Sequence, residues 1–312
     1  MWWAIGFSTG ALILFFALLY LIYRIVFSAQ RKKQRDIYDL PREVNTPEIR
    51  EKILWFINKL NALPYEQVSI TSRDGLTLYG KYYHNKDGAP LDICFHGYRG
   101  TDIRDLSGCL TTINSGKRNV LLVSQRCGGK SGGRSITFGV KERYDCLAWV
   151  NYAIDRFGKG VRILLRGVSM GASTVLYACG LDLPSNVYGV LADCPYDSPA
   201  DIIKKVCKNE RNLPPKLVYP LIWLSAGIFA GVNIGKLCAS EQIKKSKVPV
   251  IVFHGEKDAF VPAYMSEKMA SARENVERHV FNEAGHGLCY MYDTERYEKL
   301  LSDFIDKNCP KA

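Results

Sequence analysis

Apolar residues recur in three patterns along this chain, and each predicts a different kind of element. Residues 2–23 carry no charge and are rich in Leu, Ile, Phe and Ala. As a helix rising ~1.5 Å per residue they would reach roughly 33 Å, enough for the hydrocarbon core of a bilayer. Trp2, Trp3, Tyr20 and Tyr23 stand near the two ends of this run, where aromatic side chains favour the membrane interface. Ile49, Ile53, Phe56, Ile57 and Leu60 recur at helical spacing behind Thr46-Pro47-Glu48, a helix start with proline in its first turn, and Pro64 ends the pattern. Residues 68–83 alternate around Asp74-Gly75 and predict a hairpin. Short apolar runs follow at 91–95, 119–123, 161–165, 187–192 and 248–253, with a weaker one at 277–281. Helical patterns such as 141–157 and 172–180 separate several of them. Strands alternating with helices predict a mostly parallel sheet with helices on both faces, whose ligands bind at the carboxyl ends of the strands.

The net charge of +11 over 312 residues would suit a nucleic-acid binder, but its distribution argues against one. Five of the charges are Arg24, Arg31, Lys32, Lys33 and Arg35, and residues 201–247 supply the other six. Two local patches are not a basic groove, and no nucleic-acid signature accompanies them. The basic residues follow the apolar run and none precedes it. This favours a retained anchor over a cleaved leader and places the following domain on the cytoplasmic side. The ten cysteines show no C-x-x-C pair or metal-ligand spacing and read as reduced, mostly buried thiols.

The chemistry stands at the predicted strand ends. Gly167-Val168-Ser169-Met170-Gly171 is G-x-S-x-G between a strand and a helix, a sharp turn that would lift the Ser169 hydroxyl above the sheet. The helix starting near Met170 would aim backbone N–H groups at an anion formed beside it. Of five histidines, His286 stands in a glycine-flanked loop after the last strand, while His254 and His96 end strands. His84 and His279 sit in polar contexts and read as surface residues. A base needs an acid to orient it. Asp258 lies on the correct rim, with Glu256 as the alternative.

The order Ser169, Asp258, His286 resembles the α/β-hydrolase superfamily over roughly residues 65–308. Within that superfamily the chain resembles bacterial membrane-anchored hydrolases described as prolyl-oligopeptidase-like or Bem46-like. The resemblance implies an α/β-hydrolase fold with an eight-stranded, mostly parallel sheet, and Ser169, Asp258 and His286 as catalytic residues. His96-Gly97-Tyr98 is similar to the segment after the third strand. That likeness implies an oxyanion hole made by the backbone N–H groups of Tyr98 and Met170. Residues 125–132 resemble the structural loop after the fourth strand, with Ser124 in place of its usual Asp and Cys127 in place of its usual Gly. No cofactor and no metal is implied.

The resemblance also implies a helical cap at about residues 194–247. Its stretch 217–232 is uncharged, too short to span a bilayer and surrounded by lysines. Trp223, Phe229 and Phe260 are candidates to line the substrate site, and the basic cap to touch anionic lipid. The expected organisation is therefore a transmembrane anchor at 1–27, a basic juxtamembrane linker and helix at 28–64, and a hydrolase domain at 65–312. The expected function is cleavage of small-molecule or lipid-like acyl esters or thioesters by a serine hydrolase at the membrane. A peptidase or amidase with the same triad, or an inactive membrane scaffold, are the alternatives.

Overall fold

A computed structural model describes residues 2–29, 36–41, 44 and 46–310, without the side chains of residues 2–8. The indoles of Trp2 and Trp3 and the basic cluster Arg31, Lys32, Lys33 and Arg35 lie outside the described residues. The elements run α1 (Trp2–Val26), α2 (Pro47–Ala62), β1 (Glu66–Thr71), β2 (Thr77–Tyr83), β3 (Leu91–Phe95), α3 (Cys109–Asn114), β4 (Asn119–Ser124), α4 (Glu142–Phe157), β5 (Ile163–Val168), α5 (Met170–Ala178), β6 (Val187–Asp193), α6 (Pro199–Lys205), α7 (Pro215–Ser225), α8 (Ala239–Lys244), β7 (Val250–Gly255), α9 (Tyr264–Ala270), β8 (Val276–Phe281), α10 (Cys289–Tyr292) and α11 (Thr294–Asn308). Helices α6 and α7 each run on into a π-helical turn, at Val206–Glu210 and Ala226–Ala230.

All eight strands join one sheet in the order β1-β2-β4-β3-β5-β6-β7-β8. β1 pairs antiparallel with β2 and β2 with β4, and every later pairing is parallel. Strands β3, β4, β6 and β7 are buried at every residue, which is why they read as continuous apolar runs rather than alternating ones. Asp92 in β3 is a buried charge among them. It accepts from Arg118 Nε at 2.7 Å and from Arg166 Nη1 at 3.1 Å, so the charge is paired where it could not be solvated. The hairpin turn at Asp74 is tied to the rest of the sheet by Arg126, which donates to Asp74 and to the buried Asp145. The loop after β4 therefore serves as a structural brace despite its altered motif.

Two apolar cores lie on the two faces of the sheet. One gathers α4, α5, α9 and the 194–247 insert. The other gathers α2, α3, α10 and α11, with Ile53, Phe56, Ile57 and Leu60 of α2 buried as their spacing predicts.

Helix α1 is long and apolar enough to cross a membrane: residues Thr9–Val26 have a mean hydropathy of 2.1, and only 11% of them are buried. Its final turns nevertheless belong to the first core. Leu19 and Phe27 are fully buried, and Tyr23 nearly so. Ser28 pairs with Ser135, the Ser225 hydroxyl donates to Leu19 O at 2.9 Å, and Phe229 packs on the rings of Tyr20 and Tyr23. The apolar run of the insert thus faces α1.

Candidate active site

Ser169 occupies the turn between β5 and α5 with φ +56°, a left-handed backbone that a side chain rarely adopts. Its two flanking glycines are required by space. A Cβ on Gly167 would stand 2.3 Å from the Gly171 backbone, and one on Gly171 would stand 2.1 Å from Phe95 O. The turn is also held from the side, because Ser169 N–H donates to Asp193 O at 2.8 Å. The result is a serine hydroxyl presented at the carboxyl rim of the sheet.

His286 comes from the loop between β8 and α10, and Asp258 from the loop after β7. The Ser169 hydroxyl lies 2.8 Å from His286 Nε2, and His286 Nδ1 lies 2.7 Å from Asp258 Oδ2. With the ring proton on Nδ1, the imidazole donates to the carboxylate and accepts from the serine. Asp258 is fixed in turn by its own loop, where Phe260 N–H and Val261 N–H donate to Oδ1 at 3.0 and 2.7 Å. Glu256, the alternative acid, is exposed. His254 is wholly buried and lies 3.5 Å from Asp258 Oδ2, with its Nε2 donating to Val261 O. His96 is likewise buried, accepting Gln125 N–H at 3.0 Å. Neither strand-end histidine approaches Ser169 as His286 does. His84 is exposed, as its context predicts. His279 is half-buried and packs on Phe253, so it is less of a surface residue than expected.

The electrostatics follow from this arrangement. Burial alone would raise the Asp258 carboxyl. The facing His286, the bond from His254 and the Val261 N–H outweigh it and hold the carboxyl well below the usual range. Burial alone would lower the His286 imidazole, but the charge and hydrogen bond of Asp258 raise it well above its ordinary 6.5. Such a histidine can take a proton from Ser169, and the imidazolium formed is stabilised where it stands.

Tyr98 lines the same cavity as Ser169 and His286. Met170 N–H is one of the first N–H groups of α5, which find no acceptor within their own helix. The Tyr98 segment is gripped by the end of α1. The Tyr98 hydroxyl donates to Val26 O at 2.7 Å, and Arg99 Nη2 donates to Ile25 O at 2.8 Å and Ser28 O at 3.3 Å.

The cavity has a volume of about 300 Å³. Phe260 belongs to its wall, with its ring 5.1 Å from that of His286. Trp223 and Phe229 do not. Trp223 is on the outer side of α7, its indole donating to Asn233 Oδ1, and Phe229 packs on α1. Of the apolar cap residues expected to line the site, Phe229 is engaged by α1 and Trp223 is exposed at the surface. The wall is built instead by Leu40, Pro41 and Ile53, from a segment read only as linker and core helix, and by Leu106 and Leu288. For Ile53 the signal in the sequence is the apolar face of α2, which gives no hint that one residue of it faces a cavity.

Cys194 brings its sulfur within 4.8 Å of possible ligand atoms of His254 and Asp258, and also of Asp193 and Cys289. Burial pushes the Cys194 thiol well up, and Asp258 is already bonded on both oxygens. These groups pack together as a buried layer behind the site and make a poor ligand set.

No family model matches the chain. Over 238 residues, 76% of this chain and 78% of the relative, it is 24% identical to an uncharacterized Bacillus subtilis protein, YqkD. Among solved structures it is similar to the Pyrococcus furiosus esterase Pf2001, with a TM-score of 0.64 and 24% identity over 81% of this chain and 94% of that one. The Penicillium α/β hydrolase GrgF follows at a TM-score of 0.60 and 17% identity, covering 79% of this chain and 99% of that one. Est1E of Butyrivibrio proteoclasticus gives 0.56 and 18%, covering 77% and 98%. The chain has the α/β-hydrolase fold.

Proposed function

We propose that the chain is a membrane-anchored serine hydrolase that cleaves carboxylic esters or thioesters. The observation that carries this reading is the unbroken run of hydrogen bonds from Ser169 through His286 to Asp258 at the wall of an apolar cavity. In this reading Ser169 Oγ attacks the substrate carbonyl while His286 Nε2 takes its proton. Asp258 holds the ring and stabilises the imidazolium. The oxyanion of the tetrahedral intermediate is received by the N–H groups of Tyr98 and Met170. The imidazolium then protonates the leaving alcohol or thiol, and water, activated by the same ring, releases the acyl group from Ser169. The name of Pf2001 as an esterase favours esters over amides. The apolar wall suits an acyl chain, since each buried CH₂ contributes ~0.8 kcal/mol.

The length and apolarity of α1 support a single-pass anchor, and the basic residues that follow it support a cytoplasmic catalytic domain. A fluorophosphonate probe tests the chemistry. The wild-type protein is expected to label and Ser169→Ala not to, with ester turnover lowered ~10³-fold or more. A folded wild-type protein that does not label, or a folded Ser169→Ala protein with near-normal turnover, would refute it.

A further inference from the structure

Exposed large apolar side chains are unevenly distributed. Outside α1 and the 194–247 insert, those among the described residues are Tyr38, Trp55, Tyr65 and Tyr264, each with a polar group to offer water. The purely hydrocarbon ones outside α1 are Leu213, Leu217 and Ile228, all in the insert. Leu217 is 72% exposed, as bare as the middle of α1, where Leu14 is 73%. On α7 and its π-helical extension, exposed Leu217 and Ile228 and half-buried Leu221 and Leu224 recur at helical spacing on one face, with exposed Pro220 among them and no charge. The inner face is engaged: Ile222 is in the core, Ser225 bonds α1, and Phe229 packs edge-on against Tyr20 of α1.

This stripe stands beside α1, because α7 and its extension pack on the last turns of that helix through Ser225 on Leu19 and Phe229 on Tyr20. Cations bracket it. Lys208, Arg211 and Lys216 are exposed before or at the start of α7, and Lys236 just after the π-helical turn. The nearby Glu210 is neutralised by Lys205 at 2.8 Å. An uncharged stripe with cations at its ends fits the boundary between acyl chains and anionic headgroups.

We infer that α7 lies in the membrane interface beside α1, its outer stripe in the acyl region and its flanking lysines among anionic headgroups. The inference rests on the reading of α1 as a membrane anchor. It makes the cap a second contact with the bilayer, independent of the acyl-binding cavity. The hydrolase would be held by two points, and so would keep one orientation relative to the lipid surface.

Photolabelling tests this without any need for turnover. The full-length protein is reconstituted into phosphatidylcholine–phosphatidylglycerol vesicles containing a phospholipid with a diazirine at the end of its acyl chain. After illumination, adducts are mapped by mass spectrometry. Adducts are expected on α1 and on residues 213–228, and not on Trp55 or Tyr264. In Leu217→Glu/Ile228→Glu, both exposed and away from the cavity, cap adducts should fall at least five-fold. Cleavage of a water-soluble ester should be unchanged and cleavage of a vesicle-borne ester reduced several-fold. Adducts on α1 alone would overturn the cap contact and leave the anchor standing. Adducts on neither would overturn both, and equal labelling of Trp55 or Tyr264 would reduce the cap to ordinary exposed surface.

Discussion

Shortening the chain from its amino terminus should reveal a sharp step at residue 19. Residues 9–18 are exposed without exception, so among the described side chains a chain starting at residue 18 loses no buried one. A chain starting at residue 30 loses Leu19, Tyr23 and Phe27, which are 0%, 7% and 0% exposed. At ~1.5–3 kcal/mol for each buried large side chain, that amounts to roughly 5–9 kcal/mol. It also loses the bonds that Tyr98, Ser225 and Ile136 make to α1 and its extension, at ~1 kcal/mol net each. The total rivals the ~5–15 kcal/mol that holds a typical domain together. At ~2–4 °C per kcal/mol, the chain starting at residue 30 should melt at least ~10 °C below the one starting at residue 18, or fail to fold. Thermal unfolding in one detergent, followed by near-ultraviolet circular dichroism, reads the difference. Fluorophosphonate labelling of the same samples reports the Tyr98 segment, which loses its acceptors on α1. Melting temperatures within ~3 °C of each other would show that the last turns of α1 rest on the body without stabilising it.

The pH dependence of kcat/KM should carry the mark of Asp258. His286 must be neutral to act as a base, and Asp258 raises its pKa above 6.5, so activity is expected to be lost on acidification from above that value. Asp258→Asn removes the charge that raises it; the acid limb of the residual rate, ~10⁴-fold lower and followed with an activated ester, should move to lower pH, and a limb that stays in place would mean another acid serves His286. Ile53→Trp should fill the cavity and weaken medium-chain nitrophenyl esters more than acetyl ones, whereas Trp223→Ala should leave the chain-length preference alone; the reverse pattern would place the acyl site under the cap. Asp92→Ala strands two buried guanidinium groups and is expected to cost ~3–5 kcal/mol in urea unfolding; a loss below ~1 kcal/mol would mean that water reaches them.

The strands and the rim that carries Ser169 were legible because they depend on local pattern. Each buried strand is a run of apolar residues, and Ser169 announces itself through glycines that no larger residue could replace. β5 was read two residues early because Arg166 interrupts its apolar run, and only its partner, Asp92 on the neighbouring strand, makes that arginine a strand residue. The choice between Asp258 and Glu256 turns on two backbone N–H groups that close a loop around one of them. The cavity wall and the fate of the cap were illegible for a different reason. An apolar residue records that it avoids water, not what it meets: Ile53 meets a cavity, Phe229 meets α1, and both look like core in the sequence.

The bond between the Ser225 hydroxyl and Leu19 O joins residues 206 positions apart, and that separation is also an interval of time. At ~5–20 residues per second, about 10–40 s pass between synthesis of the two partners. If α1 enters the bilayer as it emerges, as the proposed anchor would, Leu19, Tyr23 and Phe27 wait at the membrane surface until the sheet and the insert arrive to cover them. The body then condenses against a helix whose position is already fixed, and the last long-range contacts form where the lipid is. Synthesis away from a membrane would leave the same helix free to collapse on unfinished strands. If α1 is the anchor proposed above, delivery to the bilayer is a step of folding as well as of sorting.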